Sequence, residues 1–224
     1  FRKEMWIWIL PPLTAAIWWH IISLPTQYNP WLYFLVITFP SASGILLVAM
    51  FFRDPDRILP ANYNVDRDII SPADGKLCAI DQGPNETSFY IEMHLNNVHV
   101  NRCPIKATVL DVIRIPGKHY LVHFFKKTKA NKSKAVKKNA HAIITLKDED
   151  GTKFQVYLIC GMFFRRARPF VKPGDTINAG ERIGMILFGS TVKVTYNNSD
   201  LQFHVSIGKK VKAGKTIICS LHKS

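Results

Sequence analysis

Three short segments of this chain supply a serine, a histidine and an aspartate, the side chains of an activated nucleophile. Ser190 follows a glycine after an apolar stretch, His99 lies in the segment 98–102 (VHVNR), and Asp74 lies in the segment 71–75 (SPADG). A serine hydroxyl becomes a good nucleophile when a histidine takes its proton and a carboxylate orients that histidine. We therefore predict Ser190 as the nucleophile, His99 as the base and Asp74 as the residue that orients His99.

Two apolar segments precede these residues and must be accommodated by the fold. Residues 5–24 and 31–52 contain no Lys, Arg, Asp or Glu, and a link of six residues, 25–30, separates them. Each is long enough to cross a bilayer, which takes roughly 20 apolar residues. We expect residues 1–57 to form a membrane-associated helical hairpin with its juxtamembrane segment. A shallow monotopic hairpin and a buried hairpin in a soluble protein are the alternatives.

Basic residues flank the predicted hairpin on both sides. Arg2 and Lys3 precede it, and Arg53 and Arg57 follow it. Because basic flanks stay on the cytoplasmic side of a membrane, we expect a cell-membrane protein whose globular domain faces the cytoplasm. Arg53 and Arg57 are interpreted as interfacial anchors.

The remainder of the chain, residues 58–224, is predicted to be one β-rich domain. Runs of β-branched and aromatic residues predict strands at Ser88–Glu92, Ala107–Ile113, Ala142–Leu146, Lys153–Ile159 and Thr191–Thr195. Turns are predicted at Gly83-Pro84, Pro116-Gly117, Asp150-Gly151 and Pro173-Gly174. The predicted fold class is therefore α+β and β-rich: a helical hairpin, then a compact, mostly antiparallel β domain with barrel-like or hammerhead-like hairpins.

A weak internal repeat offers a competing function. Residues 171–177 (VKPGDTI) resemble residues 211–217 (VKAGKTI), and this style of turn also occurs in biotinyl and lipoyl carrier domains. A membrane-anchored carrier or binding module without self-processing is therefore the alternative function. It lacks the Met-Lys-Met that such a carrier typically has, and it leaves Ser190, His99 and Asp74 unused.

The charge of the chain indicates an anionic partner. The formal net charge is +14, and residues 126–138 contain seven lysines and no acid. An anionic membrane fits this run better than nucleic acid does, because the run has no interleaved aromatic residues for base stacking. The four cysteines show no C-x-x-C spacing, so neither a metal site nor a disulfide framework is expected.

Three segments, in order along the chain, resemble one enzyme family. They are residues 51–57 (FFRDPDR), 97–104 (NVHVNRCP) and 188–191 (FGST). They resemble the phosphatidylserine decarboxylases in their short, membrane-anchored prokaryotic form. The archaetidylserine decarboxylases share these segments, so the resemblance leaves open whether the lipid has ester-linked or ether-linked chains.

The resemblance implies a proenzyme that cuts itself between Gly189 and Ser190 into chains 1–189 and 190–224, which stay associated. Ser190 would become a covalent pyruvoyl group that forms a Schiff base with the serine phospholipid. Carbon dioxide would leave, and His99 would protonate the resulting carbanion to give the ethanolamine lipid. A homodimer is also consistent with the resemblance.

Three further residues have predicted roles near these groups. Asn101 and Arg102 are candidates for binding the substrate's phosphate or carboxylate, with a structural contact as the alternative. Thr191 is predicted to steady the oxyanion that develops during self-cleavage.

Overall fold

The computed structural model describes Ala15 and residues 39–117, 138–161, 167–187, 190–197 and 200–221. Contacts within the chain divide it into two compact units, residues 1–55 and 56–224. In the first unit, helix α1 spans Phe39–Phe51. Among the described residues, no helix combines the length and the apolar character needed to cross a bilayer. Most of the predicted hairpin lies outside the described residues, and the hairpin stays a prediction.

The second unit is built from short and medium strands. In chain order, strands β1 to β14 span Asp68–Ile70, Gly75–Gln82, Thr87–Met93, Val100–Arg102, Ala107–Ile115, His141–Asp148, Lys153–Ile159, Ala167–Pro169, Thr176–Ile177, Arg182–Ile186, Ser190–Tyr196, Leu201–Phe203, Lys210–Val211 and Ile217–Leu221. The five predicted strands match β3, β5, β6, β7 and β11. The four predicted turns fall between strands or directly after one. The β-rich class is therefore confirmed.

The strands form one large sheet and two small ones. The large sheet has the order β13-β2-β3-β11-β7-β6-β5-β9 and curls into a half barrel. The small sheets have the orders β1-β14-β12 and β4-β10-β8. Neighbouring strands in the described residues pair antiparallel, for example β11 with β3 and with β7. Strand β11, which begins at Ser190, thus lies in the middle of the large sheet.

Alternation of apolar and polar residues explains why the large sheet has one buried face. In β7, Phe154, Val156 and Leu158 are fully buried, whereas Gln155 and Tyr157 between them are partly exposed. Successive side chains of a strand point to opposite faces, so this period of two places one face in the core. The apolar residues of β7 therefore pack in the core, and its polar residues lie on the opposite face.

The internal repeat is a repeated turn. Gly174 and Gly214 have φ angles of 92° and 68°, which are unfavourable for side chains with a Cβ. In each turn a backbone N–H donates to the carbonyl oxygen three residues earlier, from Asp175 and from Lys215. The two copies therefore have a common conformation, and their similarity has a structural explanation that needs no carrier function.

The lysine-rich segment 126–138 lies outside the described residues except for Lys138. Its predicted attraction to an anionic membrane stays a prediction.

Candidate active site

Ser190 is placed by the large sheet. It is the first residue of β11, and its Cα pairs with that of Met93 at the end of β3. Phe188 and Gly189 lie outside the described residues, and Ser190 is described as a backbone position only. Because β11 begins at Ser190, the predicted cleavage bond between Gly189 and Ser190 lies at the start of a central strand of the large sheet.

His99 lies on the backbone segment next to the strand that leads to Ser190. Its carbonyl oxygen accepts a hydrogen bond of 3.2 Å from the backbone N–H of Ile186, the last residue of β10. The side chain is fully buried. This backbone hydrogen bond brings His99 next to the end of β10, four residues before Ser190, although the two residues are far apart in sequence.

A backbone carbonyl sets the proton on the His99 ring. Nδ1 lies 2.9 Å from the carbonyl oxygen of Asn97. Because a carbonyl oxygen only accepts, Nδ1 carries the proton and donates it. The neutral ring then keeps its lone pair on Nε2, which is the form of the side chain that a general base requires.

Asn101 reaches the position opposite Ser190. Its side chain is fully buried, and Nδ2 lies 3.8 Å from Sδ of Met93, the Cα partner of Ser190. Within the described residues, Oδ1 of Asn101 is buried and has no hydrogen-bond partner. A buried acceptor without a donor costs free energy, so this oxygen is suited to a polar group that enters the site.

Asp74 has different partners from the predicted one. Its Oδ2 lies 2.9 Å from Nη2 of Arg57, and its Oδ1 accepts a hydrogen bond of 2.8 Å from the backbone N–H of Ala213. The carboxylate is thus engaged by a guanidinium and a backbone amide, and the tautomer of His99 is set by Asn97 instead. The predicted contact between Asp74 and His99 is replaced by these two interactions.

The interpretation of Arg57 as an interfacial anchor is wrong. The Arg57 side chain is only 8% exposed and the Asp74 side chain 11%. Breaking a pair buried to this degree leaves one charge without compensation, so each partner depends on the other.

Arg102 is close to this ion pair. The side chain is buried, and Nη1 donates a hydrogen bond of 2.8 Å to the carbonyl oxygen of Gly180. A Cβ built at Gly214 would lie 3.2 Å from Cδ of Arg102 and 3.5 Å from Cβ of Arg57. Both arginines therefore pack against the second copy of the repeated turn. A substrate-binding role for Arg102 stays a prediction.

Two residues next to the site show how closely its strands approach. A Cβ at Gly75 would lie 2.2 Å from the carbonyl oxygen of Glu92, so only glycine fits where β2 leaves Asp74. Thr191 is buried and pairs with Glu92 on β3 and with Ile159 on β7. The predicted oxyanion role of Thr191 stays a prediction.

Comparison with known proteins identifies the family. A sequence profile described as phosphatidylserine decarboxylase matches residues 45–219. The chain belongs to the phosphatidylserine decarboxylase family. The resemblance of its three motifs is thereby confirmed.

Curated relatives in this decarboxylase family cover most of the chain. The protein from Desulfotalea psychrophila is 35% identical over 82% of this chain and 83% of its own length. The one from Novosphingobium aromaticivorans is 36% identical over 83% and 76%. The one from Geobacter sulfurreducens is 31% identical over 94% and 89%. All three are named phosphatidylserine decarboxylase proenzyme.

Sequence reasoning missed two parts of this decarboxylase-family site: the Arg57 guanidinium and the Asn97 carbonyl. A signal for the second was present, because the Asn-x-His spacing recurs at Asn139 and His141. There Nδ1 of the histidine lies 2.7 Å from the asparagine carbonyl oxygen, the same contact as at His99. No comparable sequence pattern joins Arg57 to Asp74.

Proposed function

We propose that this protein is a proenzyme that cuts its own backbone between Gly189 and Ser190 and then decarboxylates the serine headgroup of a phospholipid. Besides family membership, one observation carries the proposal. The buried His99 is held with its proton on Nδ1, on a backbone segment bonded to the strand that leads to Ser190. The carrier alternative is not favoured, because the relatives are named as decarboxylase proenzymes.

In the self-cleavage step, the hydroxyl oxygen of Ser190 adds to the carbonyl carbon of Gly189 while Nε2 of His99 takes the hydroxyl proton. The carbon–nitrogen bond breaks, the nitrogen receives the proton, and an ester remains. Loss of the Cα proton of residue 190 then expels the Gly189 carboxylate. Hydrolysis of the resulting dehydroalanine releases ammonia and leaves a pyruvoyl group on the chain 190–224.

The residues around position 190 fit such a group. In the described part of the chain, Oδ1 of Asn101 is a buried acceptor without a hydrogen-bond partner, next to the Met93 position that pairs with residue 190. It can accept a hydrogen bond from the amine end of the substrate. The pyruvoyl group supplies the electron sink that decarboxylation needs and that side chains lack.

His99 has a second task during turnover in this proposal. After carbon dioxide leaves, Nε2 of His99 returns a proton to the substrate carbon that carried the carboxylate. Exclusion of water from this fully buried ring prevents the proton from being lost to solvent. Arg57 and Asp74 support the site by holding the turn at Ala213 in place.

The two products of cleavage would stay together. Residues 190–224 supply β11, which pairs with β3 and β7, and β14, which pairs with β1. Ala213 and Asp74, which would belong to different products, share a hydrogen bond of 2.8 Å. A fragment of this length is too short to build its own core, so separation would expose the apolar faces of both products.

We also propose that the enzyme works at the cell membrane with its catalytic domain on the cytoplasmic side. The uncharged segments 5–24 and 31–52, their basic flanks and the net charge of +14 support this location. Homodimer formation stays a prediction from the family resemblance.

The intact mass of the denatured protein tests the proposal. We expect two fragments that meet at Gly189 and Ser190, the smaller one lighter by one ammonia than its serine form. The fragments should convert phosphatidylserine in detergent micelles to the ethanolamine lipid with release of carbon dioxide. A chain that stays whole in detergent and lipid at neutral pH would contradict self-cleavage, and cut protein without carbon dioxide release would contradict the substrate. A parallel assay with ether-linked archaetidylserine decides between the two lipid types.

A further inference from the structure

A second polar site lies between the small sheet β1-β14-β12 and the turns beside it. A cavity of about 700 Å³ is lined there by polar and charged side chains, among them Arg67, His204 and Lys215, with Asn62 and Gln202. This volume lies within the range of roughly 300–1,000 Å³ typical of small-molecule sites.

A chain of hydrogen bonds inside the cavity orients His204. The Ser220 hydroxyl donates to Oδ1 of Asp68 at 2.7 Å, and Nε2 of His204 lies 2.7 Å from the same hydroxyl oxygen. Since the serine proton goes to the carboxylate, Nε2 must carry a proton and donate it to the oxygen. Nδ1 of the exposed His204 ring is therefore the nitrogen left for a ligand.

Two cations of the cavity have no acidic partner among the described residues. Within the described part of the chain, neither the Arg67 guanidinium nor the Lys215 ammonium forms an ion pair. The carboxylate of Asp68 is already engaged, because Oδ2 accepts the backbone N–H of Asn64 at 2.9 Å and Oδ1 accepts Ser220. Among the described residues, the charged groups that line the cavity around His204 are thus two cations without an ion pair and one hydrogen-bonded carboxylate.

The cavity shares no residue with the candidate active site, although Lys215 lies two residues after Ala213, whose backbone N–H donates to Asp74. Ser190 pairs with Met93 at one end of β3. Leu201, next to the cavity residue Gln202, accepts a hydrogen bond from Gln82, which pairs with Thr87 at the other end of β3. The Gln202 side of the cavity therefore lies near the end of β3 opposite Ser190, about 20 Å along that strand.

We propose that this cavity binds a phosphate monoester group. Arg67 offers paired donors that match phosphate oxygens, and Lys215 adds a second positive charge. Nδ1 of His204 can accept a hydrogen bond from a protonated phosphate oxygen. The group can belong to a soluble metabolite or to a phosphomonoester lipid, because the cavity chemistry is the same for both.

The test measures the reactivity of Lys215 in the full-length protein in detergent. Its amine is labelled with an acylating reagent and quantified by mass spectrometry, while glycerol phosphate is titrated in. We expect labelling of Lys215 to slow at least about fivefold at saturation, whereas the exposed Lys212 on the same turn keeps its rate. In an Arg67→Gln variant the apparent Kd should rise about tenfold or more, as for a lost charge-assisted hydrogen bond. Arg67 is exposed, so this variant should fold.

A second arm distinguishes the source of the phosphate. The protein is reconstituted in phosphatidylcholine vesicles with or without phosphatidic acid, and the same two lysines are labelled. Protection of Lys215 by phosphatidic acid but not by glycerol phosphate assigns a lipid ligand, and the reverse assigns a soluble one. If neither protects Lys215, or if Arg67→Gln binds as tightly as the unaltered protein, the proposal is overturned.

Discussion

Two histidines of this protein are each held by one ring nitrogen, but by opposite ones. His99 donates from Nδ1 to the Asn97 carbonyl in a fully buried setting. His204 donates from Nε2 to the Ser220 hydroxyl, and its ring is exposed. The same side chain therefore leaves Nε2 without a proton in one region and Nδ1 without a proton in the other. The hydrogen-bond partner decides which nitrogen is available for chemistry.

The charged groups near the two histidines also differ in burial and pairing. Near the candidate active site the charges form a buried pair, Arg57 with Asp74. Around the cavity, Arg67 and Lys215 are exposed cations that form no ion pair with any residue the structure describes. A buried, paired site suits proton transfer in a fixed geometry, because nothing has to reorganise. An open site with unpaired cations suits binding of an anion that arrives from solution.

The largest expected effect comes from replacing the proposed nucleophile, Ser190. Replacing Ser190 by alanine removes the nucleophile, so we expect the chain to stay whole and lipid decarboxylation to be lost. The exposed Ser206, also in the 190–224 segment, serves as the matched control, and Ser206→Ala should cut normally. The intact mass of both variants after equal incubation shows whether each chain is cut. A cut Ser190→Ala chain would contradict Ser190 as the nucleophile.

Replacing His99, the proposed base, should have the next largest effect on processing. Replacing His99 by glutamine keeps a polar side chain but removes the basic nitrogen, so processing should slow by about 10²–10⁴-fold. His94, an exposed histidine five residues earlier, is the control, and His94→Gln should process at nearly the normal rate. Time courses of cleavage compare the two. Equal rates would show that His99 is structural.

The two classes of ion pair predict different losses of stability. Arg57→Gln leaves the buried Asp74 carboxylate without its guanidinium, which should lower the free energy of unfolding by about 3 kcal/mol or more. Lys106 pairs with Glu149 at 38% and 54% side-chain exposure, so Lys106→Gln should cost below about 1 kcal/mol. Urea denaturation of uncut Ser190→Ala protein carrying each change makes the comparison. Similar losses would contradict the difference in burial.

The smallest expected effect is on thermal stability with ligand. At about ten times its Kd, glycerol phosphate should raise the free energy of unfolding by about 1.4 kcal/mol, a Tm shift of roughly 3–6 °C. Arg67→Gln should show a smaller shift at the same concentration. An identical shift in both proteins would mean that the ligand acts elsewhere.

Much of the fold could be predicted from local pattern. Strand β7 was predicted over the full range Lys153–Ile159, because it is rich in β-branched and aromatic residues and a predicted turn precedes it. The short strands β4 and β12 were not predicted, since three residues carry too little periodicity. Their strand conformation depends on neighbours that are distant in sequence.

The candidate site divides in the same way. Ser190, His99 and Asn101 were predicted from residue type and motif, and the structure brings Asn101 and the Ser190 backbone to the same Met93 position. The partner of Asp74 was predicted incorrectly, because Arg57 meets it only through the folded chain. A carboxylate in a turn has no local feature that identifies the cation it will meet.

The sequence by itself determined the family, the order of the motifs, the β-rich class and the residues able to do the chemistry. These depend on residue type and on spacing along the chain. Tertiary structure alone decided which ring nitrogen of His204 is protonated, that Arg57 is a buried partner of Asp74, and that Asp68, Ser220 and His204 form one hydrogen-bonded chain. Those properties arise from contacts between residues up to 152 positions apart, which only the pairing of distant strands creates.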